Sequence, residues 1–205
     1  MNKILLSICI PTLEHRKKIF EELFQELKKQ SEPYNDQIEL LSICDNKEMP
    51  IGIKRQKLNE MASGKYVVHW DDDDWICEDG IEIIMDAIKT DADVISYDYW
   101  VDIPEWGFGR YQHDYNSIYN DGSQNKDLTW NLFPDMKCPI KKEILEKISF
   151  KPIRTKEDFE FIKDLKKHLK TEVKINKFVY LYLNRSKESY EDIRVRFNIK
   201  PDKIL

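Results

Sequence analysis

Lys65-Tyr66-Val67-Val68-His69-Trp70-Asp71-Asp72-Asp73-Asp74-Trp75 decides how the chain is read, because an apolar and aromatic run passes directly into four carboxylates. The run, opened by Ser63-Gly64, reads as a buried strand. A strand that stops in acid sets its carboxylates at the carboxyl edge of a sheet, where open α/β sheets bind ligands. Four like charges in sequence repel by about 1 kcal/mol per close pair even in a water-like dielectric. The run therefore needs a cation, basic side chains or full solvation. Metal binding accounts for it, and so does a solvated acidic turn, since Asp is a common turn residue and charge runs are usually exposed.

Working outward, Ile4 to Ile10 is a near-continuous apolar run stopped by Pro11, which suits a strand buried on both faces of a parallel sheet. Ile19, Phe20, Leu23, Phe24 and Leu27 then fall at helical spacing, and the helix ends near Ser31-Glu32-Pro33. Ile38 to Cys44 forms a second strand with Asp45-Asn46 at its carboxyl end. Pro50-Ile51-Gly52 opens a second helix with Ile53, Leu58, Met61 and Ala62 as its apolar set, and Lys54, Arg55 and Lys57 lie off that set. After the acidic strand comes a helix with Asp79 as N-cap and Ile81, Ile84, Met85 and Ile88 on one face. Val94 to Tyr99 is a fourth strand. This alternation predicts right-handed crossovers and a mostly parallel central sheet flanked by helices on both faces.

Residues 100 to 136 break the rhythm: Trp100, Trp106, Phe108, Tyr111, Tyr115, Tyr119, Trp130 and Phe133 sit among Asp, Asn and Gly without a clear period. Such aromatic faces suit stacking on sugar rings or an acceptor groove, and equally suit covering a sheet edge. A short helix over Lys141 to Lys147 follows, then Thr155 as N-cap of a helix carrying Phe159, Ile162, Leu165 and Leu169. Val173 to Leu183 alternates like a strand, and Glu188 to Phe197 reads as a last helix.

The chain's 205 residues, 41% apolar and 12% aromatic, suffice for one domain with a substantial core. No stretch approaches a membrane span and no leader pattern opens the chain, so a soluble, cytoplasmic protein is expected. Cys9, Cys44, Cys77 and Cys138 are widely spaced and read as small buried thiols rather than a disulfide framework or zinc site. The four histidines, at 15, 69, 113 and 168, show no metal-ligand spacing. Any metal is expected to be oxygen-ligated. Residues 1 to 136 hold 14 Lys/Arg against 27 Asp/Glu, and residues 137 to 205 hold 19 against 11. The acidic front disfavours nucleic acid. The basic remainder suits an anionic acceptor or peripheral membrane contact, and is explained more cheaply by a solvated Lys-rich helix face.

Pro11-Thr12 after strand one, Asp45 after strand two, Arg55 on helix two, Asp71 to Asp74 after strand three and Glu157-Asp158 opening a later helix form an ordered set. In that order it resembles the family 2 glycosyltransferases of GT-A fold, over about Ile4 to Leu165 and most densely over Gly52 to Trp75. The resemblance implies a single GT-A (Rossmann-like) α/β domain over 1 to 205, with a nucleotide-sugar-binding half (1 to 99) and an acceptor-side half (100 to 205). It implies an inverting enzyme that moves one sugar from a nucleotide-diphospho-sugar, with uridine the favoured base, to a hydroxyl of a glycan, glycolipid or glycoprotein. By carry-over, Pro11, Thr12 and Asp45 line the nucleobase pocket, Arg55 lies beside base or phosphate, and Asp71 and Asp72 reach the ribose or a metal-bound water. Asp73 is the expected ligand of Mn²⁺ or Mg²⁺, hard ions that take oxygen donors. Asp158 is the expected catalytic base, although Asp in a first helical turn also complements the helix dipole without catalysis. Trp130, Pro139, Lys141 and Glu157 are assigned to the acceptor side.

The chain also departs from the family. Leu13-Glu14-His15-Arg16 stands where many relatives have Tyr-Asn-Arg, Glu78 replaces a frequent Pro, and His168 falls mid-helix rather than at a late ligand position. The Gln-x-x-Arg-Trp motif of processive synthases is absent, which points to single-sugar transfer. A sugar-phosphate nucleotidyltransferase would carry a Gly-rich phosphate loop after strand one, and Pro11-Thr12-Leu13-Glu14 is none. The remaining alternative is a non-catalytic nucleotide-sugar or glycan-binding module of the same fold.

Overall fold

The structure is a computed structural model and describes residues 4–103, 107–116 and 129–183. Along β1 (Leu6–Leu13), Leu6, Ile8 and Ile10 alternate with Ser7 and Cys9, so the pleat sends the two sets to opposite faces. β1 pairs in parallel with β2 (Ile38–Asp45) on one side and β3 (Tyr66–His69) on the other, with Leu6 level with Ile38 and Tyr66. The crossover helices are α1 (Lys17–Ser31) and α2 (Ile51–Met61). α1 and α3 (Gly80–Ile88) cover one face, where Leu23, Leu27, Ile81, Ile84 and Ile88 pack with Leu6, Ile8, Ile10, Tyr66 and Val68. α2, α4 (Lys142–Leu145) and α5 (Glu157–Leu165) cover the other, where Leu58, Leu145, Phe161 and Leu165 join Cys9 and Val67. The protein is thus a single GT-A-like α/β domain with helices on both faces of its sheet.

The sheet is not a simple parallel series. β5 (Val94–Ile103) is separated from β3 by the two-residue antiparallel β8 (Ile140–Lys141). The other edge of β5 pairs in parallel with β9 (Glu172–Leu183), and the two-residue β4 (Trp75–Ile76) pairs antiparallel with β9. The long ladders, β1 with β2 and β5 with β9, are parallel. β1 also runs through Pro11 to Leu13 rather than stopping there. Its ladder to β3 ends at Cys9 opposite His69, so a residue without an N–H is tolerated two positions on.

Much of the expected loop at 100 to 136 is sheet. β5 continues through Trp100, β6 (Gly107–His113) returns antiparallel to it, and β7 (Thr129–Leu132) lies parallel to β6. Tyr99, Tyr111 and Trp130 form a cross-strand ladder of edge-on rings, with centroids 5.2 and 5.3 Å apart. Trp106, Tyr119, the side chain of Phe108 and the expected helix at 188–197 lie outside the described residues. α5 starts at Glu157, after Lys156 in a left-handed conformation (φ 64°), rather than after a Thr155 cap. Among the described residues no helix is long and apolar enough to cross a membrane.

α2 approaches the 151–153 backbone closely enough that Gly52 N–H donates to Ile153 O at 3.2 Å. A Cβ at Gly52 would sit 1.8 Å from Lys151 O. Gly52→Ala should therefore cost about 2 kcal/mol despite the better helix propensity of Ala, because backbone rather than a flexible side chain must move. Urea denaturation measures it, and an unchanged midpoint would contradict the packing described.

Candidate functional site

β1 and β3 end at the same edge of the sheet, and the four aspartates that follow β3 each meet a different environment. The Thr12 hydroxyl, still on β1, donates to Asp72 Oδ2 at 2.7 Å. Arg16, in the turn after β1, reaches Asp72 Oδ1 at 2.8 Å and Asp73 Oδ2 at 2.9 Å. Asp71 is held by Arg55 Nη2 and Lys137 Nζ. Asp74, fully buried, accepts from Lys137 Nζ at 3.0 Å, from Leu183 N–H at 2.8 Å and from the Tyr180 hydroxyl. The repulsion foreseen in the sequence is thus offset by three cations drawn from three distant segments.

α2 supplies more of this than its apolar pattern suggests. Lys54 and Arg55 are 2% and 3% exposed, whereas Met61 is 53% exposed. The start of the helix looks at the acidic edge through Lys54 and Arg55, while Leu58 packs on the apolar side of the sheet, so charge and hydrocarbon share its buried face. Lys54 Nζ donates to Thr12 O at 2.7 Å and pairs with Asp45. Arg55 Nε also lies 3.4 Å from Glu157 Oε1, tying the start of α5 to the aspartates.

Burial opposes ionisation of Asp71, yet Lys137 and Arg55 hold its carboxyl well below the usual range. Burial likewise opposes the Lys137 charge, and Asp71 and Asp74 keep its ammonium well above its ordinary value. Asp73 differs. Burial and the neighbouring Asp74 push its carboxyl up to about 7 against the pull of Arg16, which is itself a third exposed and shared with Asp72.

These groups open on a cleft of about 450 Å³, in the range of small-molecule sites. Of the residues expected from sequence, Pro11, Thr12, Asp71, Asp72, Asp73 and Glu157 line it together. Arg55 stands behind Asp71, out of the wall. Asp45 is likewise set back, accepting from Met49 N–H at 2.7 Å and Lys47 N–H at 3.1 Å as well as from Lys54. Asp158, half-buried on the first turn of α5, accepts from Phe159 N–H at 2.9 Å and lies outside the lining. Trp130 is buried in the aromatic ladder, Pro139 O accepts from Ile95 N–H, and Lys141 pairs with Asp91 at 3.2 Å, all apart from the cleft. His168 follows α5 in a turn rather than lying within the helix.

Sequence reasoning missed Arg16, Lys54, Lys137, Arg154 and Tyr182. Arg16 sits in the stretch that departs from the family pattern, and Lys54 was set aside by helical periodicity. Arg154 donates to Lys47 O at 3.0 Å and Glu48 O at 3.3 Å, joining the two rims of the cleft. Asp73 offers a hard carboxylate oxygen on the cleft wall in a place short of positive charge, so the residues present fit Mn²⁺ or Mg²⁺.

The fold is of the GT-A-like type. The chain is similar to solved structures of Staphylococcus aureus TarS. For TarS 1–349 in complex with UDP, identity is 16%, covering 94% of this chain and 63% of that one, with a TM-score of 0.62. The complex with UDP-GlcNAc gives 14%, 90%, 60% and 0.58, and a longer TarS chain gives 15%, 87%, 36% and 0.58. The chain thus spans less than two thirds of the TarS chains it resembles. No protein-family model and no curated protein sequence matches it.

Two outcomes follow from the charge arrangement. Lys137→Met should destabilise by about 3–5 kcal/mol in chemical denaturation, because Asp71 and Asp74 lose their shared buried cation. Asp73→Asn should do the opposite in metal-free protein. The folded state holds that proton up to about pH 7 and the unfolded chain only to about the ordinary aspartate value of 3.8. The carboxylate therefore costs stability progressively as pH rises from about 4 to about 7. The variant should match the parent at pH 4 and exceed it by about 1 kcal/mol or more at pH 8, as read from thermal unfolding at the two pH values.

Proposed function

We propose that the chain is an inverting, metal-dependent glycosyltransferase of the family 2 type that takes a UDP-sugar as donor and a glycan or glycoconjugate hydroxyl as acceptor. The observation that carries this reading is the convergence of Thr12, Arg16, Asp71, Asp72 and Asp73 on one cleft at the carboxyl edge of a GT-A sheet. The UDP and UDP-GlcNAc in the similar TarS structures support the choice of donor.

In this reading the uridine lies against Pro11 and Thr12, and Asp72, oriented by Thr12 and Arg16, receives the ribose hydroxyls. Arg154 and Arg16, the guanidinium groups of the cleft wall, face the diphosphate, where planar forks suit paired oxygens. Asp73 holds Mn²⁺ or Mg²⁺, which when bound neutralises charge on the departing diphosphate. Asp71, clamped by Arg55 and Lys137, keeps the acidic strand end in register beside it. The acceptor hydroxyl oxygen forms its bond to the anomeric carbon as the bond to the diphosphate oxygen breaks. Its proton goes to Asp158, the residue after Glu157 of the cleft wall, while Glu157 is retained by Arg55 and fixes the first turn of α5. A positioned base contributes typically 10²- to 10⁴-fold.

Thermal stabilisation by UDP, GDP, CDP and dTDP, each with and without Mn²⁺, tests the donor. UDP at 100 times its Kd should add about 2.7 kcal/mol, selectively and only with the cation. Absence of any nucleotide shift would end the transferase reading. Asp158→Asn should lower kcat by about 10²-fold or more with the UDP shift unchanged. Full turnover in that variant would move the base elsewhere, and a lost UDP shift would make Asp158 a binding residue.

A further inference from the structure

His113, at the end of β6, and the turn Asp135–Cys138, which precedes β8, come together on the sheet beside Tyr97 and Tyr99. Nε2 or Nδ1 of His113, a carboxylate oxygen of Asp135 and Sγ of Cys138 all lie within 4.8 Å of one another, and all three residues are buried. Nothing in the proposed transferase chemistry uses them. His113 is fully buried, and its Nδ1 lies 3.1 Å from Tyr97 O, an acceptor only, so Nδ1 carries the proton. In the neutral ring the lone pair is then on Nε2, which faces the cluster and makes no hydrogen bond within 3.5 Å. Its distance to Asp135 Oδ2, 3.6 Å, is beyond a hydrogen bond. A ring fixed by Nδ1–H to a backbone carbonyl, with the other nitrogen bare, is the arrangement by which proteins orient a metal-binding histidine.

The turn points the same way. Cys138 N–H donates to Asp135 O at 3.1 Å, and Asp135 Oδ1 accepts from Lys137 N–H at 2.7 Å. The Asp-x-x-Cys segment is therefore closed on itself and turns Asp135 Oδ2 and Cys138 Sγ towards His113. We propose that His113 Nε2, Asp135 Oδ2 and Cys138 Sγ bind Zn²⁺ at a second metal site separate from the acidic cleft. The donor set of one nitrogen, one oxygen and one sulfur suits zinc, not the hard cations of Asp73. The Cys138 thiol gives up its proton on binding. The ion, one thiolate, one carboxylate and a neutral imidazole then sum to no net charge, which favours a fully buried site. Bonds of about 2.0–2.3 Å in a tetrahedron bring donor atoms to about 3.5 Å of one another, within reach of side-chain rotation from the present spacing. A water completes the fourth position. The ion would stiffen the turn carrying Lys137, and through it the clamp on Asp71 and Asp74.

The full chain, purified without chelators, should carry about one equivalent of zinc by elemental analysis. Protein produced in cobalt-supplemented medium should show a thiolate-to-cobalt charge-transfer band that added Zn²⁺ abolishes. Cys138→Ser should lose the band, and Asp73→Asn should keep it. The proposal is overturned by protein that contains no zinc and gives no cobalt band, or by a band that survives Cys138→Ser. Should that variant not fold, the zinc content and cobalt spectrum of the parent protein decide alone. Both readouts are independent of nucleotide binding, so failure here leaves the donor site intact and failure there leaves this site intact.

Discussion

Lys137 between Asp71 and Asp74 is the interaction on which the remaining structure depends. Four consecutive carboxylates at a strand end are tolerable only if each meets a partner, and Asp71 and Asp74 share one buried ammonium. Pairs of this kind add little over a hydrophobic core, but removing one partner is costly. The demand propagates outward: the turn at 135–138 must approach β3, α2 must aim Arg55 at Asp71, and β9 must bring Tyr180 and Leu183 to Asp74. Trp70 reinforces the same junction, donating from Nε1 to Tyr97 OH at 3.0 Å and packing against Tyr180.

That division of labour explains how neighbours in sequence come to have unlike chemistry. Asp71 and Asp74 are structural anchors with their oxygens committed. Asp72 is oriented by a hydroxyl and a guanidinium on the cleft side. Asp73 has burial and Asp74 against it and shares the partly solvated Arg16 with Asp72, and its carboxyl is pushed up to about 7. An anchored frame thus presents one under-compensated group to the cleft, the condition in which a bound cation gains most. Arg55 extends the frame to Glu157, so the first turn of α5 and the acidic strand end hold a fixed relation.

What could be read in the sequence was whatever depends on near neighbours. The alternation in β1 and β3, the helical spacing of α1 and α3 and the acid at the end of β3 are local, and they gave the mostly parallel sheet with helices on both faces. The resemblance added Thr12, Asp71, Asp72 and Asp73 as a group, and all four meet at the cleft. Pairings over long separations were not legible. Lys137 meets Asp71 across 66 positions, and β8, two residues long, interrupts the sheet where a parallel neighbour was expected. Helical periodicity misled for α2 because it presumes that a buried face is apolar, and this one buries Lys54 and Arg55 beside Leu58. The aromatic stretch hid β6 because it carries two glycines and β7 because it is four residues long, and His113 lies there, far in sequence from Asp135 and Cys138.

The anchoring of Asp74 by Tyr180 and Leu183 also bears on the order in which the chain can fold as it is made. The first hundred residues hold β1, β2, β3 and the four aspartates, yet Lys137 and the β9 groups that receive them emerge much later. Until then Asp71 and Asp74 are better served by water than by the interior, which opposes closure of the strand end over them. The strand end can therefore close over Asp74 only when Lys137 and β9 have been made, so the last strand described completes what the third one begins.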